Sequence, residues 1–405
     1  MLGDLDAADW SRPTLSEARE RAERLTGLNA FVTMTGEQGD GPVVAVKDLV
    51  DVQGTPTTGG GAILPLEPVA RDAKVVERLR MFGCVVIGKT NLHEWAFGTT
   101  SLNRHFGDVR NPADPTRVAG GSSGGSAVAV ASGMCAWAIG TDTAGSIRIP
   151  SSLCGVVGIK PSAGLVSTEG VIPLAPSLDT VGPLAPTVAS AARALELMSG
   201  TNLGWNDPPS DKPRLAVPAE WVSDLDEPTA DAWSAFRRGL PDILFPGRER
   251  VTKPATAVLL HEAAAFHQHW MRDHAETYAP DVLAKLRTGL EIDEDRYRLA
   301  HAELESVREE VDEAMRDCDA LVLPATARVA PLLAGADDAR EPLSRFARPF
   351  NATGQPVITL PLPVDGLPVG VQLIGRVGED AALIAVARAV ERRLAVAARE
   401  SGGAA

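Results

Sequence analysis

Between Gly120 and Pro150 the chain reads GGSSGGSAVAVASGMCAWAIGTDTAGSIRIP, two serine clusters set in glycine with a small apolar run between them. Gly, Ser and Thr lose much chain entropy on ordering and bring little to a core. A sequence concentrates them where the backbone must approach something closely, or adopt angles that a Cβ forbids. The stretch therefore reads as an active site. Its complement is Lys47, a charge at the end of the apolar run Val43-Val44-Ala45-Val46.

A serine hydroxyl is a weak nucleophile until a base takes its proton. A neutral lysine can be that base, but its ordinary pKa near 10.4 keeps it charged at pH 7. Burial with little compensating negative charge lowers it. Lys47 follows four apolar residues, which places it at the edge of a dry core. Asp48 is adjacent, but strand alternation sends its side chain to the opposite face. Asp142 and Arg148 flank Ser146 at a spacing suited to a structural ion pair. Thr141 can hold Lys47 through its hydroxyl or simply pack against it.

These residues resemble the amidase signature family. The likeness rests on Lys47, on Gly120 to Ser126, on Gly140-Thr141-Asp142-Thr143-Ala144-Gly145-Ser146-Ile147-Arg148, on Pro150 to Gly155 and on Gly158-Ile159-Lys160-Pro161. Weaker matches run from about 28 to 200 and from 319 to 392, while 201–318 resembles nothing nameable. The resemblance implies one domain over 1–405, with an α/β fold whose mixed central β-sheet is covered by helices on both faces. It implies that Ser146 is the nucleophile and that Ser122 relays its proton to Lys47. It implies a cis Gly121–Ser122 peptide, an oxyanion hole of the N–H groups of Thr143, Ala144, Gly145 and Ser146, and a supporting role for Ser123. Ala144 stands where many members carry Gly, which alters shape and not donor count. Expected is a hydrolase releasing ammonia or an amine from a small amide through an acyl-enzyme, with no metal or cofactor.

Composition narrows the partners. The formal net charge of −14 argues against binding a phosphate backbone and suits a cytoplasmic enzyme. Met1 to Trp10 lacks the pattern of a secretory signal, and no run approaches a membrane span. A homodimer remains open. Cys84, Cys135, Cys154 and Cys318 form no CxxC pair and read as buried free thiols.

Local signals predict helices from the Thr14/Glu17 capping box to about 26, over 72–82, 126–134, 187–198, 256–274, 294–317 and 381–397. Strands are expected at 42–46, 85–87, 136–139, 156–159, 319–323, 357–360 and 369–374. Residues 204–213 read as a surface loop and 401–405 as a frayed tail. The acyl pocket is expected from 59–68, 172–177 and 201–318.

Rival motifs fail on context. Gly83 to Thr90 spells a Walker A motif, but Cys84 to Ile87 reads as the strand itself. Ser122 and Ser123 each fit GxSxG, yet the Pro- and Asp-rich 111–117 supplies no preceding strand. His261, His267, His269 and His274 crowd one helix without the HExxH spacing, which suggests an exposed histidine face. The glutaminase component of a glutamine-dependent amidotransferase shares the signature loops. It carries an acidic residue where ungapped alignment to the Asn351-Ala352-Thr353-Gly354 turn puts Ser344 here, with Arg345 and Arg348 nearby. Ester, carbamate and urea-like substrates stay open. Retention of Lys47, Ser122 and Ser146 argues against a non-catalytic scaffold.

Overall fold

The computed structural model describes residues 10–208 and 211–402. Ten strands form one sheet: β1 (Phe31–Met34), β2 (Val43–Lys47), β3 (Val85–Thr90), β4 (Trp137–Asp142), β5 (Val157–Lys160), β6 (Thr180–Ala185), β7 (Leu215–Ala216), β8 (Ala320–Pro324), β9 (Val357–Pro361) and β10 (Gly370–Ile374). Their order is β1-β3-β2-β4-β6-β5-β9-β10-β8-β7. The pairs β2–β3, β2–β4 and β7–β8 are parallel and the rest antiparallel, so the sheet is mixed.

The helices are α1 (Leu15–Arg24), α2 (Lys74–Met81), α3 (Gly124–Ala131), α4 (Arg148–Cys154), α5 (Val188–Ser199), α6 (Glu227–Phe236), α7 (Arg248–His274), α8 (Pro280–Leu290), α9 (Glu294–Ala314), α10 (Arg340–Ser344), α11 (Pro349–Ala352) and α12 (Asp380–Gly402). The Thr14/Glu17 capping box is formed. Alternation along β2 shows how the layers are built. Val44 and Val46 join the core packed by α2, α5 and α12, while Val43 and Ala45 join the core around α3. Lys47 shares the parity of Val43 and Ala45, which directs it to the α3 side.

Several expectations shift. Helix α7 starts at Arg248 rather than 256, with Pro254 inside the helix. Strand β6 was not expected, because Gly182 and Pro183 argue against a strand interior, yet it pairs with both β4 and β5. The expected histidine face is not a face. His267 is buried among Trp95, Trp270 and Tyr278, and His261 bonds the Ile292 carbonyl at 2.8 Å; only His269 and His274 are exposed. The reason is tertiary: α7 lies against α8, α9 and the Trp95 segment, which cover His261 and His267. The expected loop at 204–213 includes 209–210, and the expected frayed tail includes 403–405, all outside the described residues. Helix α12 itself continues to Gly402. Among the described residues no helix is long and apolar enough to cross a membrane.

Candidate active site

The site lies at the carboxyl ends of the adjacent parallel strands β2 and β4. Lys47 ends β2, and Thr141 and Asp142 end β4. Lys47 is fully buried. Its Nζ lies 2.7 Å from Ser122 Oγ and 2.8 Å from Thr141 Oγ1. Burial lowers its pKa to about 7; Asp142 and Asp179 oppose this only from a distance. Asp48 turns away as expected and pairs with the buried Lys89 at 2.8 Å. Lys89 also bonds the Pro56 carbonyl and Thr57 Oγ1. That lysine belongs to strand β3, so the Walker A spelling forms no phosphate loop.

The Gly121–Ser122 peptide is cis. Gly121 and Gly124 leave no space for side chains: a Cβ on Gly121 would stand 2.8 Å from Ser101 N, and one on Gly124 2.5 Å from Ser101 Oγ. Ser123 ties the two serine clusters together. Its N–H donates to the Ser146 carbonyl at 3.1 Å and its Oγ to the Thr141 carbonyl at 3.1 Å. Ser122, Ser123 and Ser146 are all buried. No strand lies between Thr90 and Ser122 to run directly into that serine, so the GxSxG elbow is absent.

Asp142 organises the 143–148 turn. Its carboxylate accepts from the N–H of Gly145 (2.8 Å) and of Ile147 (3.0 Å). It also pairs with Arg148, Nη2 to Oδ1 2.8 Å and Nε to Oδ2 3.0 Å, with both side chains fully buried. Burial opposes the charge of Asp142, but Arg148, Lys160 and the Asn351 amide together hold its carboxyl well below the usual range. Arg148 in turn donates to the Ala347 carbonyl at 2.6 Å and approaches Gln372. Asn351 Nδ2 donates to the Asp142 carbonyl at 2.8 Å.

Of the four expected oxyanion donors, the Gly145 N–H is thus committed to Asp142. The N–H groups of Thr143, Ala144 and Ser146 donate to no group of the described residues. Gly145 has φ +114°, and a Cβ there would stand 2.6 Å from Ala347 Cβ.

Sequence reading missed Asp179. Thr143 Oγ1 donates to its Oδ1 at 2.5 Å, and the N–H groups of Leu174 and Ala175 donate to its Oδ2. Burial raises its pKa to about 6. Asp179 therefore fastens the 172–177 segment to the turn before Ser146. Ile172, Leu174 and Pro176 line a cavity of about 50 Å³ with Thr141 and Thr143. Ser177 anchors the segment to Glu262 of α7. Gly59 and Gly61 pack on Trp95 instead.

Ser344 is buried, donating to the Arg340 carbonyl at 2.8 Å and accepting from Arg348 Nη2 at 3.0 Å. Arg345 is engaged by Glu341 and the Ser223 carbonyl. It forks onto Glu341 with Nε–Oε1 3.0 Å and lies 3.6 Å from Asp224, because the helical i,i+4 spacing brings Glu341 beside it. The four cysteines are buried free thiols.

Comparison with known proteins gives one answer. The amidase family profile matches residues 7–235 and 263–384. The chain is 33% identical to a glutamyl-tRNA(Gln) amidotransferase component from Halobacterium salinarum, over 90% of this chain and 100% of that protein. It is 34% identical to the AtzE component of the 1-carboxybiuret hydrolase of Pseudomonas sp. (strain ADP), over 82% and 79%. A crystal structure of an amidase superposes with TM-score 0.86 at 37% identity, covering 94% of this chain and 95% of that one. The chain belongs to the amidase signature family, enzymes that hydrolyse the carbon–nitrogen bond of amides.

Proposed function

We propose that this chain is a single-domain amidase working through Lys47, Ser122 and Ser146. Neutral Lys47 accepts the Ser122 hydroxyl proton, Ser122 accepts that of Ser146, and Ser146 Oγ bonds to the amide carbon. The carbonyl oxygen becomes an oxyanion facing the N–H groups of Thr143, Ala144 and Ser146; one such donor is worth ~10²–10³ in rate. The carbon–nitrogen bond then breaks, the proton returns through Ser122 to the leaving nitrogen, and water hydrolyses the acyl-Ser146 ester to the acid. The observation that carries this reading is Lys47: wholly buried, touching two hydroxyls and no carboxylate. Such a lysine can be neutral near pH 7, and its contact with Ser122 then runs from Oγ–H to Nζ.

The test is covalent labelling. A fluorophosphonate should mark Ser146, and Ser146→Ala should remove turnover while keeping the fold. A label on Ser122 or Ser123 would overturn the assignment.

The alternative is the glutaminase component of a glutamine-dependent amidotransferase, favoured by the full-length match to the Halobacterium protein. Against it stands Ser344 at the position of the ammonium-reading acid, beside the Arg348 guanidinium. Burying an ammonium without a carboxylate is costly. Ammonia release from a panel of primary amides, with glutamine included and no partner protein, separates the two. Glutamine as best substrate, or activity only with tRNA and a partner protein, would favour the alternative. A cytoplasmic setting fits the buried free thiols. Gel filtration would show whether a homodimer forms.

A further inference from the structure

A cavity of about 510 Å³ opens between the 98–104 segment, the start of α8 and the start of α10. It holds three cations. Two are already engaged: Lys285 Nζ pairs with Asp281 Oδ2 at 2.8 Å and donates to the Phe97 carbonyl, and Arg104 donates to the Tyr278 carbonyl at 3.0 Å. The acids are engaged as well. Asp281 also meets His93 Nε2 at 3.2 Å, and Asp108 accepts from the Asn103 N–H at 3.0 Å.

Arg340 is the exception. Its guanidinium lies over the Phe97 ring, 5.7 Å from the centroid, and makes no hydrogen bond or ion pair with the described residues. Burial pushes its pKa down, and the charge of Asp281 offsets this only in part. Arg348 adds a second nearby guanidinium that is held by hydroxyls alone. A half-buried guanidinium with no hydrogen-bonded or ion-paired partner, in a cavity whose carboxylates Asp281 and Asp108 are already engaged, has lost hydration for little more than the Phe97 ring in exchange.

The cavity shares a wall with the proposed catalytic segment. Thr100 and Ser101 line the back of Gly121, Ser101 Oγ donates to the Ser122 carbonyl at 3.3 Å, and the His93 N–H donates to the same carbonyl at 3.2 Å. From Arg340 the chain runs through α10 to Ala347, which packs on Gly145.

We propose that Arg340 binds the carboxylate of the substrate, so that the preferred substrates are amides carrying a monoanionic group remote from the scissile bond. One unpaired guanidinium matches one negative charge and forks naturally onto a carboxylate. This specificity rests on the amidase reading above.

The experiment measures kcat/KM for succinamate, glutaramate and adipamate against alkanamides of the same chain length. Wild type should prefer the acid amides, with the difference mainly in KM. Arg340→Met should cut the anionic-to-neutral ratio on the order of 10- to 100-fold, and Arg340→Lys should keep part of it. Arg340→Lys alone decides the matter if the methionine variant does not fold. A ratio near one in wild type, or a ratio unmoved by both variants, overturns the proposal. Calorimetry on Ser146→Ala, with and without Arg340→Met, reads binding without turnover. Arg340-dependent binding of the acid amides in an enzyme that hydrolyses no amide would sink the amidase reading and keep the carboxylate site. Acetate or sulfate binding as tightly as the acid amides would mark a site for free anions and overturn the substrate assignment.

Discussion

With Lys47 as the proposed base, raising the pH should switch this enzyme on near neutrality. An exposed lysine with a pKa of 10.5 is neutral in roughly 1 molecule in 3,000 at pH 7. At the pKa of about 7 that burial produces, half the molecules carry the free base. Burial thus enlarges the competent population about a thousandfold, or ~4 kcal/mol in the availability of the base. The assay is ammonia release from pH 5 to 10, with a single-turnover measurement showing that acylation limits the rate. The rate should climb about tenfold per unit below pH 7 and level off above it. A profile flat from 6 to 10, or one still climbing at 10, would refute a buried-lysine base.

The same shift has a cost to folding, with a definite sign. The folded pKa of Lys47 lies below the unfolded value, so between about pH 7 and 10.5 the unfolded chain binds the extra proton. Its contribution therefore improves as pH rises through that window, by ~1.4 kcal/mol per unit, and the penalty is complete below about 7. Lys160, also lowered to about 7 by burial, adds a similar slope. The difference between wild type and Lys47→Met in urea unfolding isolates the Lys47 part. Lys47→Met should gain over wild type as pH falls from 10 to 7, and a pH-independent difference would contradict the shift.

Arg148→Met should cost ~3–5 kcal/mol in urea unfolding, because it strands the buried Asp142 carboxylate; a loss under 1 kcal/mol would show that the pair is replaceable. Gly145→Ala should remove most activity, since φ is +114° and the methyl meets Ala347; retained kcat would mean that the turn can move. Asp179→Ala frees Thr143 and the 174–175 amides, and kcat should fall about 10-fold or more on the scale of one charged hydrogen bond. An unchanged kcat would separate Asp179 from the oxyanion turn.

The geometry of the candidate site was legible because backbone demands wrote it. Gly121, Gly124 and Gly145 sit where a Cβ has no space, and the serines between them make short-range bonds whose partners lie within the same motifs. Lys47 was legible as the break in an apolar strand. Asp179 was not, since its significance depends on Thr143 and the 174–175 amides meeting it in space. Arg340 was equally mute: nothing in its sequence context distinguishes it from Arg345, which Glu341 neutralises. Strand β6 was hidden by Gly182 and Pro183. His267 looked solvent-facing because helix periodicity locates a face but not its partner.

The Asp142 carboxylate has a consequence for how the protein comes into being on the ribosome. Its counter-charge, Arg148, is local, but that guanidinium and the Asp142 carbonyl are completed by Ala347, Asn351 and Gln372, more than 190 positions downstream. The turn carrying Ser146 therefore takes its final form only after the polypeptide has been extended past Gln372. A growing chain that has not reached Ala347 already holds the serines and the lysine of the candidate site, yet it lacks the groups that complete this turn.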